Sequence, residues 1–220
     1  MDNIYTLFGT RNSGAGAVDA ALGWAGLSAR RVEAASWIEG ETLDELGRAN
    51  PLRQIPTLLL PDGSVMTESA AILIHLGLAH PASGLLPADE AQRAQAVRGL
   101  VFIAANLYAA ISVIDYPERW CANADDDAAV KERIKRGTRD RLHRHWDIFA
   151  TQFAAGAETG FLLGAEPGAL DILASVVSRW AGARQHLQQM HPALHALLLR
   201  VDAHPRLAAV FEHYWPSQGT

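Results

Sequence analysis

The chain has 220 residues, 49% hydrophobic and 20% charged, which is enough apolar material for a real core in one large domain or two small ones. A formal charge of −5 excludes nucleic acid as the main partner, because phosphate binding needs an excess of Lys and Arg on one face. A single cysteine, Cys121, excludes an internal disulfide, and Met1-Asp2-Asn3 lacks the basic and apolar regions of a secretion signal, so the expected compartment is the cytoplasm.

The first part alternates strand and helix signals. Ile4-Tyr5-Thr6-Leu7-Phe8 is rich in β-formers and stops at Gly9, as a buried strand would. Over residues 14–26, Ala17, Val18, Ala21, Leu22 and Ala25 recur at helical spacing, and Gly26 stands where a helix would end. Residues 30–35 predict a second strand. A short helix is predicted over 41–49, stopped before Asn50-Pro51 because the residue before proline avoids helical angles. Residues 57–60, the turn Pro61-Asp62-Gly63 and residues 64–67 read as an antiparallel hairpin, and a helix follows over 68–79.

Composition then changes. His80-Pro81-Ala82-Ser83-Gly84-Leu85-Leu86-Pro87 is a linker, and only helical patterns follow it. The longest apolar run, residues 100–114, is too short to span a bilayer and carries Asn106 and Ser112, so it predicts a buried helix within a longer one over 90–114. The acidic run Asp125-Asp126-Asp127 predicts the cap of a helix reaching Phe153. Three more helices are predicted over 169–181, 192–203 and 205–214. The fold class is therefore α/β plus all-α. Residues 1–79 form a thioredoxin-like domain with a mixed four-stranded sheet, 80–90 a linker, and 91–220 an all-helical bundle domain.

Two features of the first domain point to a ligand. Pro56, in Gln54-Ile55-Pro56-Thr57, heads a strand, where a residue without an N–H belongs; a cis bond there would present the Ile55 backbone to a ligand. Glu68-Ser69 opens the next helix, whose unpaired amides together with a serine hydroxyl make a site for a carboxylate. Each has a purely structural explanation, as a strand start and a helix cap; it is their joint occurrence, split by a hairpin, that points to a site.

The stretch Asn50-Pro51-Leu52-Arg53-Gln54-Ile55-Pro56-Thr57-Leu58, with Asp62-Gly63 and Thr67-Glu68-Ser69-Ala70-Ala71-Ile72, resembles the glutathione-binding signature of the glutathione transferase superfamily. The likeness to a bacterial-type cytosolic member continues through Leu85-Leu86-Pro87 into the helical half. It implies that the Ile55 backbone pairs with the cysteinyl part of glutathione across a cis Pro56. Glu68 and Ser69 would take the γ-glutamyl amine and carboxylate, and Gln54 or Arg53 would meet the glycyl end. Arg53 departs from the glycine common in the family. The family activates the thiol with a Tyr, Ser or Cys in or just after the first strand; here Ser13 is the choice, with Thr10 and Asn12 as alternatives, and Tyr5 reads as structural. The implied activity is detoxifying conjugation of glutathione, a co-substrate, to a small apolar electrophile by a homodimer joined across the first domain and helix 90–114. No cofactor, metal, membrane or nucleic acid is expected. The alternative is a non-catalytic binding or protein-interaction module of the same fold.

Other patterns carry less. Gly14-Ala15-Gly16 imitates a dinucleotide-binding fingerprint, but Asp19 stands at the third glycine position. His191 and His195 have metal-ligand spacing, yet Pro192 starts a helix between them and exposed histidines are expected. Cys121 reads as a packed small residue, and Phe102, Tyr108 and Ile111 as core or as the wall of an apolar pocket. Asp171 is expected to cap a helix for folding, with half of the reciprocal cap missing because Gly168 stands where the family has Ser or Thr.

Overall fold

The computed structural model describes residues 4–35, 39–121, 127–154 and 160–216. Strand β1 (Tyr5–Gly9), helix α1 (Ala15–Trp24), β2 (Ala29–Glu33), α2 (Glu41–Ala49), β3 (Thr57–Leu59), β4 (Val65–Thr67) and α3 (Ser69–Ala79) follow the expected order. The sheet runs β2-β1-β3-β4, with β1 parallel to β2 and antiparallel to β3, and β3 antiparallel to β4. It is the mixed four-stranded sheet of a thioredoxin-like domain.

Side-chain alternation along β1 separates two cores. Tyr5 and Leu7 face α1 and α3 within the main core, while Phe8 joins Val32, Leu43 and Leu46 in a smaller core beneath α2. Helix α1 ends where glycine allows it: Gly26 has φ 70°, the Gly26 N–H reaches the Gly23 carbonyl at 3.1 Å, and the Leu27 N–H reaches Leu22 at 2.9 Å. That is the Schellman arrangement, which consumes carbonyls the helix would leave bare.

Beyond the turn Pro81–Ser83 the described elements are helical: α4 (Glu90–Phe102), a π-helical segment (Ile103–Tyr108), α5 (Ala109–Asp115), the turn Pro117–Trp120, α6 (Ala128–Phe153), α7 (Ala169–Val177), α8 (Ala183–Met190), α9 (Pro192–Asp202) and α10 (Ala208–Tyr214). The first three form one continuous helix, Glu90–Asp115, of 26 residues, long and apolar enough by length and composition to cross a membrane and so longer than its apolar run suggests. Its stripe Leu100, Ile103, Leu107, Ile111 and Ile114 is buried in the main core. Asp127 caps α6, accepting the Ala129 and Val130 N–H groups at 2.9 and 3.1 Å, whereas Asp125 and Asp126 lie outside the described residues.

Three expectations need correction. Strand β2 lies one to two residues earlier than its β-formers suggest. Helix α7 stops at Val177 rather than 181: the Arg179 N–H bonds the Val176 carbonyl at 3.2 Å in a tighter turn, and Ala181 and Gly182 beyond it take φ 54° and 75°. Helix α8 was not expected at all: it buries only Ala183 and Leu187, so its sequence carries no apolar stripe to read.

The halves are joined through backbone as well as side chains. The Asn12 N–H donates to the Tyr214 carbonyl at 3.1 Å, Ala169 N–H to Leu85 at 2.8 Å, and the Trp24 indole to Ser83 at 3.0 Å. Asp171 is buried and accepts from Leu162 and Gly168 N–H at 2.8 and 3.0 Å. Gly168 contributes no side chain in return, so the cap is the expected half. Burial pushes the Asp171 carboxyl up to about 6.

Candidate functional site

Strand register brings the candidate residues together. Phe8 pairs with Thr57, and Thr57 pairs with Thr67, so one edge of the sheet carries the end of β1, the start of β3 and the end of β4. The loop of Thr10 to Gly14, the Ile55–Pro56 bond and the Glu68–Ser69 pair therefore emerge side by side. The Ile55–Pro56 bond is cis.

Backbone strain collects at the same edge. Of four described non-glycine residues with positive φ, three are Asn12 (56°), Arg53 (50°) and Glu68 (62°). Each such residue costs on the order of 1–3 kcal/mol, and strain of this kind gathers where a ligand site requires it. Glu68 accordingly stands outside helix α3, which begins at Ser69, and Ser69 itself is buried at the helix N-terminus.

Asn50 holds the loop before Pro56. Its buried amide donates to the Gln54 carbonyl at 3.1 Å and to Thr57 Oγ1 at 3.0 Å, while Asn50 Oδ1 accepts the Leu52 N–H at 3.1 Å. Thr57 Oγ1 donates in turn to the Gln54 carbonyl at 2.8 Å. In the sequence Asn50 signals only a helix stop, so its clamp role was missed. Gln54 is exposed at this edge. Arg53 turns back over α2, its Nε lying against Gly47 and its guanidinium 4.0 Å from Asp44.

In the β1–α1 loop, Thr10 Oγ1 donates to Glu33 in a short contact, on the β2 side. Asn12 is exposed. Ser13 is buried at the start of α1; its hydroxyl donates to the Thr10 carbonyl at 2.6 Å and accepts the Ala15 N–H at 3.3 Å. Ser13 thus sits where it was expected, with its proton already given to the backbone.

The helical half completes the edge. Tyr108, the last residue of the π-helical segment, sets its hydroxyl against Gly14, where a Cβ would lie 2.2 Å from the oxygen. Its ring stacks on Trp180 with centroids 5.5 Å apart at 26°, and Trp180 meets Trp215 edge-on at 6.4 Å. The sequence reads Tyr108 as core or pocket wall. Its hydroxyl contact with Gly14 depends on tertiary packing and has no local signal. Burial raises the Tyr108 hydroxyl to about 12, partly offset by the Gly14 N–H and reinforced by the negative charges of Asp115 and Glu68.

Residues outside this edge serve structure. Asp19 is buried and accepts from Arg31 Nε at 2.7 Å. It borders a cavity of about 260 Å³ beneath α10, lined also by Ala209, Val210 and His213. His191 is not free in solvent: it and His186 meet Asp147 Oδ1 at 2.9 and 2.7 Å. Among the described residues no group of three or more His, Cys, Asp or Glu is arranged to hold a metal ion.

Residues 16–78 match the family model described as glutathione S-transferase, N-terminal domain, a span that contains Arg53, Pro56, Glu68 and Ser69. That span is similar to the N-terminal domain of glutathione S-transferases. It is 39% identical over 88 residues to an uncharacterized GST-like protein, YncG, of Escherichia coli K12; the match covers 40% of this chain and 42% of that relative. In fold it is similar to a glutathione transferase homologue from Sulfitobacter solved with bound glutathione, at TM-score 0.80 and 20% identity, covering 94% of this chain and 97% of the other. A sphingomonad glutathione S-transferase complexed with glutathione superposes at TM-score 0.75 and 21% identity, over 96% and 100% of the two chains. The two solved structures share the fold of both halves.

Proposed function

We propose that this chain is a glutathione transferase that binds glutathione at the shared edge of β1, β3 and β4 and conjugates it to a small apolar electrophile. The observation that carries the reading is the convergence of Ile55, Glu68, Ser69 and the α1 N-terminus through the register of three strands. Ser69 and the first amides of α3 would take the γ-glutamyl carboxylate, and Glu68 the amine. The Ile55 backbone would meet the cysteinyl unit, and Gln54 the glycyl end. With Arg53 directed to α2, its part would be to shape the loop.

The thiol would then lie at the start of α1, beside Ser13, where the positive end of the helix favours a thiolate. Attack forms a sulfur–carbon bond and breaks the bond to the leaving group, a halide in the case of an aryl halide, while the thiol proton passes to solvent. Tyr108, Trp180 and Trp215 would supply an apolar wall for the electrophile. Ser13 remains the loop residue assigned to the sulfur, ahead of Thr10 and Asn12, since the hydroxyl of Thr10 is engaged by Glu33.

A second reading, a glutathione-binding module without turnover, is favoured by the commitment of the Ser13 proton to Thr10. Calorimetric titration with glutathione and an aryl-halide conjugation assay separate the two. Binding with turnover supports the transferase, binding without turnover the module, and the absence of binding contradicts both. We also take residues 1–79 as the glutathione-binding domain, 80–90 as the linker and 91–220 as the helical domain, in a detoxifying cytoplasmic homodimer. Exposed Val65, Leu78 and Val101 on β4, α3 and α4 support an apolar contact with a second copy.

A further inference from the structure

We propose that Tyr108, from the helical half of the chain, is a catalytic residue whose hydroxyl donates a hydrogen bond to the glutathione sulfur and holds it as the thiolate. The inference rests on the glutathione-transferase reading above and adds to it a residue that neither the first strand nor the loop after it contains.

Two hydroxyls stand at the α1 N-terminus, and their protons are placed differently. Ser13 gives its proton to the Thr10 carbonyl at 2.6 Å, so donation to sulfur would require it to abandon a good hydrogen bond to the backbone. Tyr108 has the opposite arrangement. Its hydroxyl lies against Gly14 at the α1 N-terminus, where a Cβ would come within 2.2 Å of the oxygen, and among the described residues its proton is not given to the backbone as that of Ser13 is.

The position is built. Gly14 has no room for a Cβ, which would lie 2.2 Å from the Tyr108 hydroxyl, so the close approach depends on glycine there. The Trp180 stack fixes the ring from the other side. The π-helical segment Ile103–Tyr108 shifts the helix register just before Tyr108, and the Asn106 carbonyl within it is met by His145 Nδ1 at 3.0 Å. Such local widening of a helix commonly re-aims a functional side chain.

The charges acting on Tyr108 are Asp115 on α5 and Glu68 before α3, with the Gly14 N–H from α1. The two anions and burial keep the phenol protonated at physiological pH, so it remains a hydrogen-bond donor and does not act as a base. In the conjugation the phenolic proton stays on Tyr108 throughout; the thiol proton goes to solvent before the sulfur attacks.

The test measures glutathione affinity by calorimetry and the bound thiol's pKa by thiolate ultraviolet absorbance, in the parent, Tyr108→Phe and Ser13→Ala. Phenylalanine keeps the stack on Trp180, so Tyr108→Phe should bind glutathione within about twofold of the parent. Its bound thiol should titrate about one unit or more higher, with kcat/KM for an aryl halide falling roughly tenfold below that pKa. Ser13→Ala should move the thiol less. Gly14→Ala, which displaces the Tyr108 hydroxyl while keeping the tyrosine, should reproduce the rise and decides the question if Tyr108→Phe does not fold. An unchanged thiol pKa in the folded Tyr108 variant, or a larger shift in Ser13→Ala, overturns the inference while leaving glutathione binding intact. Failure of the parent to bind glutathione overturns the transferase reading beneath it, and the binding arm shows which has failed.

Discussion

Ser69 gives the clearest single-residue expectation. In the proposed site its hydroxyl, with the first amides of α3, would take the γ-glutamyl carboxylate, and a hydrogen bond to a charged group contributes roughly 1.5–3 kcal/mol. Ser69→Ala should therefore weaken glutathione binding roughly ten- to hundredfold, measured by calorimetry, without abolishing it, because the helix amides remain. An unchanged affinity would remove Ser69 from the site. The strand start after Pro56 and the helix start at Ser69 were legible in the sequence because each has a local physical reason: proline belongs at a strand head, and serine at a helix start. The contacts of Asn50 and Tyr108 were not legible. Asn50 bonds to residues four and seven positions on through a folded loop, and the Tyr108–Gly14 contact joins residues far apart in the chain.

At the scale of elements, the start of α7 is where pH should register. Asp171 caps that helix from a buried position and ties it to the loop at Leu162. Its folded-state pKa, about 6 against an ordinary 3.8, is raised by burial. A raised pKa means the folded state holds a proton the unfolded chain has lost between those values. Asp171 therefore lowers stability as pH rises from about 4 to about 6, by at most about 1.4 kcal/mol per pH unit, with no further change above. Asp171→Asn cannot titrate. Thermal melts across that range should show the parent losing stability relative to the variant as pH rises, and parallel curves would contradict the assignment. At neutral pH the variant should still be less stable by about 1–3 kcal/mol, because an amide nitrogen facing a backbone N–H leaves a buried donor unsatisfied. Elements with strong periodicity, such as α1 and the 57–67 hairpin, were legible. Helix α8 was not, because a helix burying only Ala183 and Leu187 looks like any polar stretch.

For the whole molecule, the order β-α-β-α-β-β-α followed by helices was readable, since alternation and breakers mark elements without tertiary information. How the halves meet was not. The contact rests on pairs such as Asn12 with Tyr214 and Trp24 with Ser83. The proposed homodimer is checked by light scattering at micromolar concentration, where about twice the chain mass of 23.8 kDa is expected and a single-chain mass would contradict it. The proposed glutathione site at the sheet edge is tested by calorimetric titration of the folded parent with reduced glutathione beside Ser69→Ala. Saturable binding that weakens in the variant is the expected result; no heat of binding from a folded parent, or equal affinity in both proteins, would contradict it.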